Sequence, residues 1–137
     1  MSEVIHGACL CGRIAFDVHA PEVMGACHCT RCQRWTGGPG STVVVVGGKN
    51  FKITKGQELM KRYQEESFAD RYFCSHCGTS VYVDGGEKYY VGAGVLRDLK
   101  LKPAFHIRSP TRLRGTRSGA ARRSFPSGLR RSEGRSR

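Results

Sequence analysis

Up to His106 the chain reads as short stretches of alternating apolar and polar positions, cut by glycine and asparagine turns. That period-two pattern, with little at helical spacing, predicts a mainly β domain with little helix. Arg13 to Val18 alternates as a half-buried strand does, and Phe51 to Thr54 and Leu59 to Gln64 repeat the pattern. Ser41 to Val46 is a β-branched run closed by Gly47 and Gly48, as expected of a strand covered on both faces. Ala69 to Phe73 leads into Cys74 and Thr79 to Val83 leads out of Cys77, like the two arms of a hairpin. Tyr89 to Val91 follows the Gly85-Gly86 turn, and the one helical candidate is a turn or two from Thr30 to Thr36.

The pattern stops after Ile107. Residues 108–137 are Arg, Ser, Gly, Pro and Ala with almost no aliphatic periodicity, a composition expected to be disordered. This divides the chain into a domain at 1–107 and an Arg-rich tail at 108–137. It also changes the meaning of the net charge of +12. The first 107 residues carry 13 Lys/Arg against 10 Asp/Glu, and the tail carries 10 Arg against Glu133 alone. The folded part is nearly balanced and lacks aromatic residues at RNA-stacking spacing, so no specific nucleic-acid partner is expected.

Seven cysteines fall in three groups: Cys9 and Cys11; Cys27, Cys29 and Cys32; Cys74 and Cys77. No apolar run reaches the roughly 18 residues of a membrane span, and the start lacks a signal-peptide pattern. A cytoplasmic location is expected, where thiols stay reduced and clustered cysteines serve metals before disulfides. Structural zinc takes four ligands, whereas catalytic zinc takes three and keeps a fourth position open. Seven therefore divides as four plus three, giving two zinc ions. Cys74-Ser-His-Cys77-Gly78 has the form of a zinc knuckle, with His76 between the ligands and facing solvent. Cys9 and Cys11, followed by Gly12, can supply the other pair, unless they are ordinary buried thiols.

Cys27, Cys29 and Cys32 then have no evident fourth partner, and water or a substrate sulfur would complete the set. The alternative is a second structural site finished by His6, His19 or His76. Three thiolates leave the site net negative, so bound water is weakly polarised while bound thiols are deprotonated. Such a centre suits a thiol attacking an electrophilic carbon better than it suits hydrolysis. His28 is the nearest candidate for a general base. Beside the site, Arg34 could hold a carboxylate, Trp35 could cover an apolar face, and Gly37-Gly38 could admit substrate. An exposed arginine, a core tryptophan and a plain turn fit those residues equally well.

G-x-C-x-C-G-x-I-x-F at Gly7 to Phe16, C-H-C-x-x-C-x-R at Cys27 to Arg34, and F-C-x-x-C-G-T at Phe73 to Thr79 occur in this order. The combination resembles the glutathione-dependent formaldehyde-activating family, which includes centromere protein V. The resemblance implies an Mss4-like fold with two zinc ions. Cys9, Cys11, Cys74 and Cys77 would hold the structural ion, and Cys27, Cys29 and Cys32 the catalytic one. It implies a carbon–sulfur lyase activity that joins glutathione, as co-substrate, to formaldehyde as S-(hydroxymethyl)glutathione. A small-molecule thiol and an aldehyde are then the partners.

Family members continue after P-x-x-H-I with K-A-P-W and acidic residues, where this chain turns Arg-rich after Pro103 to Ile107. Codons can be chosen for Ser109 to Gly119 that read one frame over as A-D-K-A-P-W-H-E-I-G. A frame shift near residue 108 is the expectation this carries, and other codons in the gene would exclude it. Two further readings compete with the enzyme: a zinc-ribbon module that binds nucleic acid or protein, and a redox or zinc-storage protein.

Overall fold

A computed structural model describes residues 4–66 and 69–107. The expected disorder and shifted frame of 108–137 lie outside the described residues. Among the described residues, ten strands and one short α-helix follow each other along the chain. The strands are β1 (Val4–Ala8), β2 (Ala15–His19), β3 (Val23–Cys27), β4 (Ser41–Gly47), β5 (Phe51–Lys55), β6 (Met60–Tyr63), β7 (Asp70–Cys74), β8 (Ser80–Asp84), β9 (Lys88–Gly92) and β10 (Pro103–Ile107). The helix, α1 (Thr30–Thr36), lies between β3 and β4, where the sequence predicts it. The mainly β expectation is borne out.

The strands form two sheets, one ordered β1-β2-β5 and one ordered β10-β3-β4-β9-β8-β7-β6. Every pairing is antiparallel except β10 on β3, which is parallel. Phe16 and Val18 of β2 pack with Val44 and Val46 of β4, Val81 of β8 and Val91 of β9, all essentially inaccessible to water. Val45, on the other face of β4, is also buried, so this strand is covered on both sides as its unbroken valine run predicts. Rings continue the core: Phe16 meets Phe51 at 5.2 Å, Phe51 meets Tyr82 at 4.6 Å, and Tyr82 stacks between Tyr72 at 4.5 Å and Tyr89 at 5.1 Å.

Three strands have no alternating signature, namely β1, β3 and β10. Two of these contain a glycine directly opposite an aromatic partner. Gly7 pairs with Phe16, and Gly25 pairs with Phe105. In each case a Cβ on the glycine would run into the partner's ring. The ring takes the space the missing side chain leaves, which offsets the weakness of glycine within a strand. These are the strands that end at the cysteines: β1 runs into Cys9, and β3 ends on Cys27.

Candidate metal centres and active site

Cys9 and Cys11 lie in the turn that leaves β1, while Cys74 ends β7 and Cys77 lies in the turn before β8. Both turns close the same way. The amide of Gly12 donates to the Cys9 carbonyl at 3.0 Å, and that of Gly78 donates to the Cys74 carbonyl at 2.8 Å. Gly12 and Gly78 have φ of 75° and 78°, a region that favours glycine. Thr79 joins the two turns. Its hydroxyl accepts from the Leu10 amide at 3.0 Å and lies 3.1 Å from the Cys77 sulfur, and its carbonyl accepts from the Cys74 amide at 2.9 Å. Thr79 hydroxyl, helped by the Cys11 amide, holds the Cys77 thiol down at about 5.

The four sulfurs of Cys9, Cys11, Cys74 and Cys77 lie within 4.8 Å of one another, with Cys9 and Cys11 3.5 Å apart and Cys11 and Cys74 4.0 Å apart. Zinc with sulfur ligands at about 2.3 Å in a tetrahedron needs about 3.8 Å between them, so the donor set fits that ion. None of the seven cysteines is paired in a disulfide.

Cys27, Cys29 and Cys32 form the second group, again within 4.8 Å. Cys27 is fixed by the end of β3. Cys29 is the N-cap of α1, and its sulfur accepts from the Cys32 amide at 3.4 Å. Cys32 follows one helical turn later, so a strand end and a helix start hold all three sulfurs. Gly40 keeps this loop tight, because a Cβ there would run into the backbone of Cys27 and His28. Burial, followed by the Cys29 and Cys27 sulfurs, pushes the Cys32 thiol far above its usual range. Three thiolates cannot share this space without a cation, and zinc suits the donor chemistry.

No histidine joins either group among the described residues. His28 is turned inward: Nε2 lies 2.9 Å from Nδ1 of His106 on β10, and the two rings stack at 5.2 Å. His76 is exposed, as its place between two ligands predicts. His6 pairs with Asp17 at 2.6 Å, away from both groups.

The three-thiol group opens on a cleft of about 770 Å³ with mostly apolar walls, among them Val43, Val83, Tyr90 and Phe105. Arg34 is exposed and does not line this cleft, whereas Arg31 and Arg71 do. Arg31 was hidden in an unremarkable position between cysteines. Arg71 did carry a signal, since it is a charge at an inward position of an alternating strand, and it is buried. Trp35 packs inward, edge-on to Phe73 at 6.0 Å and under the Arg71 guanidinium at 5.5 Å. It seats α1 on the sheet.

The family model described as glutathione-dependent formaldehyde-activating enzyme matches residues 4–110. The chain belongs to this family. A Halomonas elongata protein whose name carries the family's description is 30% identical over 87 residues, which cover 58% of this chain and 55% of that protein. The chain thus spans about half the length of that relative. A Schizosaccharomyces pombe protein named as an uncharacterized lyase is 28% identical over 98 residues, covering 69% of each. A crystal structure of a Rhodobacter sphaeroides protein shares the fold, with a TM-score of 0.59 at 22% identity over 69% of this chain and 89% of that one. In this formaldehyde-activating-family chain the three motifs fall on the two thiol groups. The two glycines of the first motif, Gly7 and Gly12, shape the strand and turn that carry Cys9 and Cys11.

Proposed function

We propose that the chain is a zinc-dependent carbon–sulfur lyase that adds a thiol, glutathione, to a small aldehyde such as formaldehyde. Two zinc ions belong to it, one held by Cys9, Cys11, Cys74 and Cys77 and one by Cys27, Cys29 and Cys32. The observation that carries this reading is the contrast between the groups. Four sulfurs surround one point, whereas three lie on the wall of an open cleft. Zinc bound there supplies positive charge that favours the ionised form of an incoming thiol.

The chain's own residues do the rest. The end of β3 and the first turn of α1 fix the three sulfurs, and Val43, Val83 and Phe105 give the cleft apolar walls. The substrate thiol gives up its proton and its sulfur forms a bond to the carbonyl carbon. The carbonyl π pair moves onto oxygen, which takes up a proton. No oxidant or reductant is required. A nucleic-acid module is disfavoured because the first 107 residues carry a net charge of only +3 and the cleft is largely apolar.

The test is metal content together with turnover. We expect two zinc ions per chain, and a mild chelator that removes one should abolish formation of S-(hydroxymethyl)glutathione followed by NMR. Full turnover by a chain stripped of the weaker ion would refute the proposal.

A further inference from the structure

Two of the three sulfurs in the cleft group belong to α1 and its cap, Cys29 at the N-cap and Cys32 in the first turn. The helix has seven residues, none of them buried, and no acidic residue in its first turn. A helix that short is not stable by itself in water, so its place is set by what holds it from outside. Arg31 and Trp35, four residues apart, share one helix face, and both meet β7. Trp35 packs on Phe73 and under the Arg71 guanidinium. Arg31 reaches Arg71 through Glu65, which lies between β6 and β7. Arg31 Nε is 2.7 Å from one carboxylate oxygen, and Arg71 Nε is 2.9 Å from the other. The side chains of Glu65 and Arg71 are only 17% and 5% exposed. Strand β7 is a fixed base for this contact, since it pairs with β6 and β8 and ends on Cys74 of the four-thiol group.

An ion pair this far out of water adds little net stability, because desolvation offsets most of the attraction. It fixes geometry instead. A carboxylate with a guanidinium on each oxygen sets the distance and orientation between the elements that carry them, whatever else the two arginines also bond. We infer that Glu65 is the positioning residue of the three-thiol group: by joining Arg31 to Arg71 it holds the first turn of α1, and with it Cys29 and Cys32, at metal-binding spacing beside Cys27. The inference rests on the reading of that group as a zinc site and adds what keeps the site assembled. Glu65 does not itself line the cleft, so it acts through the arginines and not on substrate.

The experiment uses the full zinc-loaded chain and reads its affinity for the weaker ion by competition with a chromophoric chelator. Glu65→Gln keeps the size of the side chain but replaces one acceptor oxygen by a donor, so the two arginines can no longer share it. It should weaken the hold on that ion about ten- to a hundredfold and leave the tighter ion and the far-ultraviolet circular dichroism unchanged. Glu65→Asp keeps both oxygens and should lie between the two. Glu22→Gln removes an equal charge from the exposed pair with Lys88 and should match the parent. Turnover lost in Glu65→Gln should return as free zinc is raised. With the weaker ion removed, amide hydrogen exchange over α1 should be about tenfold or more faster in Glu65→Gln than in the parent, with β4 and β9 unchanged. Equal zinc affinity in the two chains overturns the inference, and so does equal exchange over α1. Turnover that stays low at saturating zinc overturns it too, because Glu65 would then act on the substrate. A parent chain that takes only one ion sinks the proposed reaction instead, and the exchange rates over α1 then decide whether Glu65 holds the helix.

Discussion

At the scale of single residues, the two sulfur groups are set apart by what surrounds them. Thr79 gives the four-thiol group a shared hydrogen-bonding centre, since one hydroxyl serves the Leu10 amide and the Cys77 sulfur. Thr79→Ala should therefore lower the unfolding free energy by about 1–2 kcal/mol, and Thr79→Ser should restore most of it, read from denaturant midpoints of the zinc-loaded chain. The three-thiol group sits at a strand end and a helix cap, so the sheets do not depend on it in the same way. Cys32→Ser should leave the far-ultraviolet circular dichroism intact while metal analysis falls from two zinc ions to one and turnover is lost. Cys74→Ser should instead prevent stable folding, because Cys74 is fully buried within the core cluster and in the four-thiol group. A Cys32→Ser chain that keeps both ions would contradict the division.

At the scale of elements, glycine paired with an aromatic ring is the recurrent device. Gly7 against Phe16 and Gly25 against Phe105 let strands with poor intrinsic preference pair closely beside the cysteines. Gly7→Ala should cost about 1–3 kcal/mol through overpacking on the Phe16 ring. Phe16→Leu should cost on the order of 1–2 kcal/mol by itself, and the double variant should be more stable than the sum of the two losses allows. A strictly additive cycle in urea would show that the ring does not occupy the glycine's space. These strands were missed by pattern reading for the same reason. Glycine interrupts alternation, and the compensating ring is on a neighbouring strand, well separated in sequence from the position it fills. By contrast β4 and α1 were legible, since an unbroken valine run and a short segment between clustered cysteines leave few alternatives.

At the scale of the whole molecule, the ring ladder joins the two sheets and makes stability depend on alkaline pH. Burial pushes the Tyr82 hydroxyl far above its usual value, with the neighbouring Tyr72, Tyr89 and Asp84 adding to it, and burial raises Tyr89 as well. A folded-state value above the unfolded one means stability is fully present below about pH 10 and is lost as pH rises beyond it. Thermal unfolding between pH 9 and 12 should show this decline, and Tyr82→Phe should make it shallower. Within the described residues no helix is long and apolar enough to cross a membrane. The amino-acid order alone decided the β class, the short helix and the division of seven cysteines into four and three. Ligand spacing is a local property, and a strand or turn fixes it wherever the segment lies. The cleft, the inward turn of His28 onto His106, and the meeting of Arg31 with Arg71 on Glu65 were decided only by tertiary structure. Each joins side chains from separate elements, and a linear pattern has no term for which strands become neighbours.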